Sequence, residues 1–145
     1  MKNIARMAAI ATTGMTLFSY AISYVFKEKF LETMLLNQLV FPRHKETRKN
    51  HPAGFVIHFI TGTFFSKLFD TLWKKTVLHP DFGTSFSFGF ISGLVGITGW
   101  HIFFTLHPDP PKVKQKKFYA QLLAAHVVFG VLNGLVYKNH GIREE

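Results

Sequence analysis

The sequence predicts an all-α integral membrane protein: a four-helix transmembrane bundle with an amphipathic interfacial helix in its first loop. Four stretches, 4–26, 53–73, 83–106 and 118–137, carry few charges or none. Each has about the 20 residues that a helix rising 1.5 Å per residue needs to cross a hydrocarbon core of about 30 Å. Composition agrees, with 48% hydrophobic residues and 17 phenylalanines in 145 positions. The net charge of +9 sits mostly in the connections between these stretches and at the chain ends. That is where lysine and arginine meet anionic headgroups and set topology.

The same charge excludes as well as implies. In a water-soluble chain it would point to nucleic acid. Beside membrane stretches it points to the bilayer as partner, and nucleic acid is not expected. There is no cysteine, so disulfides, thiol catalysis and thiolate metal sites are ruled out. No serine–histidine–acid set, phosphate loop or pair of intramembrane carboxylates is present, so the reading is non-enzymatic. Homo- and hetero-oligomers are both compatible with the chain.

In the first element, Lys2 and Arg6 precede an apolar run, and Ser19 and Ala21 offer small residues like those of a signal-peptide cleavage site. The run continues to Phe26, longer than a signal peptide's apolar region, which favours a retained span. Arg6 can snorkel outward from it. Next, Phe30, Leu31, Met34, Leu35 and Leu39 recur at helical spacing opposite Glu28, Glu32 and Asn37. This predicts a helix lying in the interface, polar face to water, ended by Pro42. A basic loop over 43–50 follows, and His51-Pro52 opens the second span, proline being tolerated in a first turn.

The second span contains His58, Gly62 and Ser66, with Lys67 and Asp70 near its far end. Lys67, Asp70 and Lys74 fall at i, i+3 and i+7. A local ion pair with snorkelling lysines is favoured there over a polar entrance to the bundle. The third span places Gly89, Gly93 and Gly96 on one stripe that continues to Trp100. Small residues so spaced let helix backbones approach closely in lipid. His107-Pro108-Asp109-Pro110-Pro111 stops this helix. In the fourth span His126, Gly130 and Gly134 repeat the register of His58, Gly62 and Ser66, as in a parallel internal repeat. Loops 27–52 and 107–117 are the more basic, so the positive-inside rule puts them in the cytoplasm and both termini outside.

The candidate chemistry lies in His58, His101 and His126. Counted from the cytoplasmic helix ends, all three fall at depths of roughly 8–12 Å. Polar groups inside a span usually face the bundle interior. Three readings fit: a metal or haem site, since imidazole is a common ligand; a proton or ion relay; or hydrogen bonds that hold helices together. His101 lies about 100° round from the Gly89–Trp100 stripe, so it need not face the other two.

Ala11-Thr12-x-x-Met15-Thr16, His51-Pro52-x-Gly54-x-x-x-His58-x-x-x-Gly62, Trp100 before His107-Pro108-x-Pro110-Pro111, and Gln121-Leu122-x-x-x-His126-x-x-x-Gly130 resemble a group of small four-span bacterial membrane proteins of unknown function. The resemblance spans nearly the whole chain. It implies the fold and a bacterial cell (inner) membrane, and brings no activity with it. Lys67 and Asp70 depart from the apolar helix usual in that group.

Overall fold

The computed structural model describes residues 2–28, 30–41 and 52–141. The basic loop over 43–50 and His51 lie outside the described residues. The described residues form five helices and no strand: α1 Lys2–Phe26, α2 Glu32–Val40, α3 Pro52–Lys75, α4 Phe82–Leu106 and α5 Gln115–Gly141. Three of these helices contain segments long and apolar enough to cross a membrane, at Ile4–Phe26, Phe82–Leu106 and Gln115–Asn139. The chain is therefore of membrane type. α3 matches the others in length but does not reach the same apolarity, because His58, Lys67 and Asp70 interrupt it.

Local chemistry fixes the helix ends. α3 starts on Pro52, whose missing N–H is an orphan in any first turn. Asp81 caps α4, its side chain accepting from the Thr84 N–H at 2.7 Å. α1 ends with Lys27 in the left-handed region, φ 52°. The Glu28 N–H reaches back to the Ser23 carbonyl at 3.1 Å and the Lys27 N–H to Tyr24. This is a Schellman-type end that usually employs glycine.

The long helices pack in the order α4–α5–α1–α3. α4 and α5 are held closest, through glycine. A methyl added at Gly130 would sit 2.6 Å from the Gly89 Cα, and one added at Gly89 would lie 2.8 Å from the Val127 Cα. Gly93 abuts Leu123, Gly96 faces the His126 ring, and Gly134 meets Ser85. α1 and α3 meet where Gly62 receives the Thr12 side chain. α3 barely reaches α5 and has no extensive backbone contact with α4. At one end, however, side chains join the two. The Trp73 ring stacks on Phe88 at 5.5 Å, and Phe69 meets Phe88 at 5.3 Å and Phe129 at 5.9 Å.

The outer surface is apolar. Leu17, Phe64, Ile91 and Leu135 are each more than half exposed, the pattern of helices that face lipid rather than water.

α2 overturns one expectation. Its polar residues face inward: Glu32 is 3% exposed and Asn37 2%. Asn37 Oδ1 accepts from the Gly54 N–H at 2.7 Å, so α2 caps the first turn of α3 from outside that helix. The expected orientation assumed water on the polar side. Here the polar partners are other helices.

Candidate functional site

The divergence of α3 from α4 leaves a partly open cavity of about 320 Å³. Residues from all five helices line it. α3 supplies His58, Thr61, Gly62 and Phe65; α4 supplies Val95, Gly96, Gly99, Trp100 and Phe103. α5 contributes Leu122, His126 and Phe129, α1 contributes Thr12 and Met15, and α2 contributes Glu32 and Leu36. Thr61, Val95 and Phe103 are exposed and stand at the mouth. Nothing lies within 4 Å of the position a Gly99 methyl would take.

The cavity is apolar apart from a few groups with defined hydrogen-bonding roles. His126 Nδ1 lies 2.9 Å from the Leu122 carbonyl. A carbonyl can only accept, so Nδ1 carries the proton and Nε2 keeps a lone pair in the neutral ring. That Nε2 lies beside Gly96, 3.1 Å from where a methyl there would sit. His58 is buried, and its Nε2 has no hydrogen-bond partner among the described residues. Thr12 Oγ1 is likewise unpartnered. Phe65 meets the His126 ring edge-on at 6.5 Å.

Glu32 is the third ionisable group. Its Oε1 accepts from the Ser19 hydroxyl at 3.1 Å, and Ser19 in turn accepts from Gln121 Nε2 at 2.6 Å. Burial pushes the Glu32 carboxyl up to about 7, against the opposing effect of its hydrogen bonds. The acid is thus poised to exchange a proton near neutrality.

Of the histidines singled out in the sequence, His58 and His126 line this cavity and His101 does not. The His101 ring is exposed, with Nδ1 3.4 Å from the Tyr119 hydroxyl. It follows Trp100 by one residue, and 100° of helix rotation carries it off the cavity wall. Among the described residues no three histidine, aspartate or glutamate side chains converge closely enough to hold a metal ion. His107 holds the fold together: its Nε2 donates to the Leu39 carbonyl at 3.1 Å and its Nδ1 accepts from the Asp109 N–H. Asp70 is buried and pairs with Lys74 at 2.9 Å, while Lys67 is exposed.

Glu32 and Thr12 are site residues that reasoning from sequence did not reach. Glu32 lies on the polar face of α2, as the spacing predicts, but α1 and α5 meet that face through Ser19 and Gln121 where water is expected. Thr12 did carry a signal, as part of the first motif in the resemblance. Thr12, Met15, His58, Gly62, Trp100, Leu122 and His126 all belong to those motifs, and all line this cavity. Comparison with family models, curated proteins and solved structures finds no match.

Proposed function

We propose that this is a four-span protein of a bacterial cell membrane, serving as a binding or accessory subunit. Its cleft between α3 and α4 holds a bilayer-borne amphipathic molecule with an apolar body and a hydroxyl group. The observation that carries the reading is the partly open apolar cavity lined by His58 and His126, whose ring nitrogens have hydrogen-bonding capacity to spare. An apolar cavity with a few placed polar groups is the usual form of a small-molecule site. The lone pair on His126 Nε2 asks for a donor, which a hydroxyl supplies.

α3 as the fourth span is supported by its outward face, where Phe55, Val56, Ile60, Phe64 and Leu68 are exposed. Its polar residues His58, Ser66 and Asp70 are buried inside, where intramembrane polar groups belong. On this reading α2 seals the cytoplasmic end, loops 27–52 and 107–117 face the cytoplasm, and the termini lie outside.

Trp100 lines the cavity, so its fluorescence reports occupancy. A long-chain isoprenoid alcohol should bind in detergent about fivefold more tightly than its methyl ether, the value of one hydrogen bond of about 1 kcal/mol. His58→Leu or Gly99→Leu should weaken binding. Equal affinity for alcohol and ether would refute the proposal. A Soret band in the purified protein would replace it with haem binding. A second reading, proton movement, is favoured by buried Glu32 on the cavity wall. Proton flux in proteoliposomes that Glu32→Gln abolishes would establish it.

A further inference from the structure

A second hollow, of about 330 Å³, runs along the outer seam of α1 and α5. Phe18, Ile22 and Phe26 of α1 form one wall, and Phe30 extends it beyond the helix end. Ala120 and Ala124 of α5 form the other wall and leave the width open because they are small. The groove is apolar apart from Gln121, and among the described residues Lys117 is the one charged group that lines it.

Lys117 stands at the end where the basic turn enters α5. Lys112, Lys114 and Lys116 are exposed in the same short stretch. Glu28 answers part of this charge, its Oε1 lying 2.6 Å from Lys114 Nζ and 3.2 Å from Lys117 Nζ. Four lysines against one carboxylate leave a clear positive excess. The Glu28 pair also holds the Lys117 ammonium near the end of α1, beside Phe26 and Phe30. A largely apolar groove thus leads up to a cluster of cations, two of them held by Glu28. That combination is complementary to one abundant component of the surroundings.

We infer that the α1–α5 groove is a binding site for an anionic phospholipid of the bilayer, with one acyl chain along Phe18, Ile22, Ala120 and Ala124 and the phosphate at Lys117. Basic residues at a membrane edge attract anionic lipid by roughly 1 kcal/mol each, or about fivefold. The groove converts that general attraction into a located one, because the chain and the headgroup must be satisfied together. The groove and the α3–α4 cleft share no lining residue, and the inference does not rest on what the cleft holds.

The test uses the full chain in detergent micelles, with dioleoyl phosphatidylglycerol or dioleoyl phosphatidylcholine added and thermal unfolding followed. The anionic lipid should raise the unfolding midpoint more than the zwitterionic one. Lys117→Gln should weaken the apparent affinity for phosphatidylglycerol roughly fivefold. Ala124→Trp keeps every charge but fills the groove, and it should remove the preference as well. Ala120→Leu is a milder filler should Ala124→Trp fail to fold; both alanines are exposed. Lys138→Gln, at the opposite end of α5, should leave the preference intact. Equal stabilisation by the two lipids would overturn the inference. So would a full phosphatidylglycerol effect in the groove-filled variants, which would reduce the site to unlocalised attraction by lysines.

Discussion

Gly130→Ala and Gly99→Ala make the same chemical change with opposite expected signs. At Gly130 the new methyl would lie 2.6 Å from both the Cα and the N of Gly89, where carbon contacts prefer about 3.5–4.0 Å. The obstacle is backbone, so no rotamer change relieves it. α4 and α5 must separate by about 1 Å along their closest seam, which corresponds to the overpacking cost of about 1–3 kcal/mol. At Gly99 nothing lies within 4 Å. There the methyl meets no clash and removes the flexibility of a mid-helix glycine, worth about 0.5–1 kcal/mol. For a chain of this size 1 kcal/mol moves the midpoint by roughly 3 °C. Gly130→Ala should therefore unfold about 3–9 °C lower than the parent, and Gly99→Ala about 2–3 °C higher. Circular dichroism at 222 nm in detergent reads both. A Gly130→Ala protein as stable as the parent would refute the close seam. A destabilised Gly99→Ala would refute the open space at the cavity mouth.

Glu32 holds its proton more tightly when folded, about 7 against an ordinary 4.5. Its contribution is therefore full below about pH 4.5 and declines as the pH rises to about 7, by up to roughly 3 kcal/mol. Glu32→Gln should flatten the stability profile over that window, and parallel profiles for the two proteins would count against it. Asn37→Ala leaves the buried Gly54 N–H without its 2.7 Å acceptor and should cost about 1–3 kcal/mol in thermal unfolding. Lys27→Gly relieves a left-handed residue at φ 52° and should stabilise the protein by about 1 kcal/mol, readable in the same assay.

Much of the helical layout was legible because lipid imposes a long period of low charge. The stretches 4–26, 83–106 and 118–137 correspond closely to α1, α4 and α5, which carry the three apolar segments. The 53–73 stretch is a helix too, but a mean over its length cannot tell polar residues turned inward from polar residues facing lipid. Four-residue spacing puts small residues on one helix face, and in the structure a methyl at Gly89 or Gly130 would meet the backbone of the neighbouring helix. α2 was not readable in this way. Its polar face reads as one that meets water, and the partners that bury it, Ser19, Gly54 and Gln121, are distant in sequence; Leu35 on the apolar side is buried as well. The histidines were found by depth along the helix, but depth carries no information about rotation. One residue of phase separates Trp100, on the cavity wall, from His101, outside it.

The uneven spacing of the long helices also determines how the cleft can change width. α4 and α5 touch backbone to backbone at Gly89 and Gly130, so they form a fixed jamb. α3 is joined to α4 by the short stretch 76–81 and by Phe69 and Trp73 resting on Phe88, all at one end. His58 stands about 20 Å from that aromatic stack, from 11 to 15 residues at 1.5 Å each, near the end where Asn37 of α2 holds Gly54. A tilt of α3 by about 10° about the stack would displace His58 by roughly 3 Å, about the width of a water molecule. Such a tilt would slide Gly62 against Thr12 of α1 and draw the Gly54 N–H away from Asn37 of α2, so those two contacts set the width of the mouth.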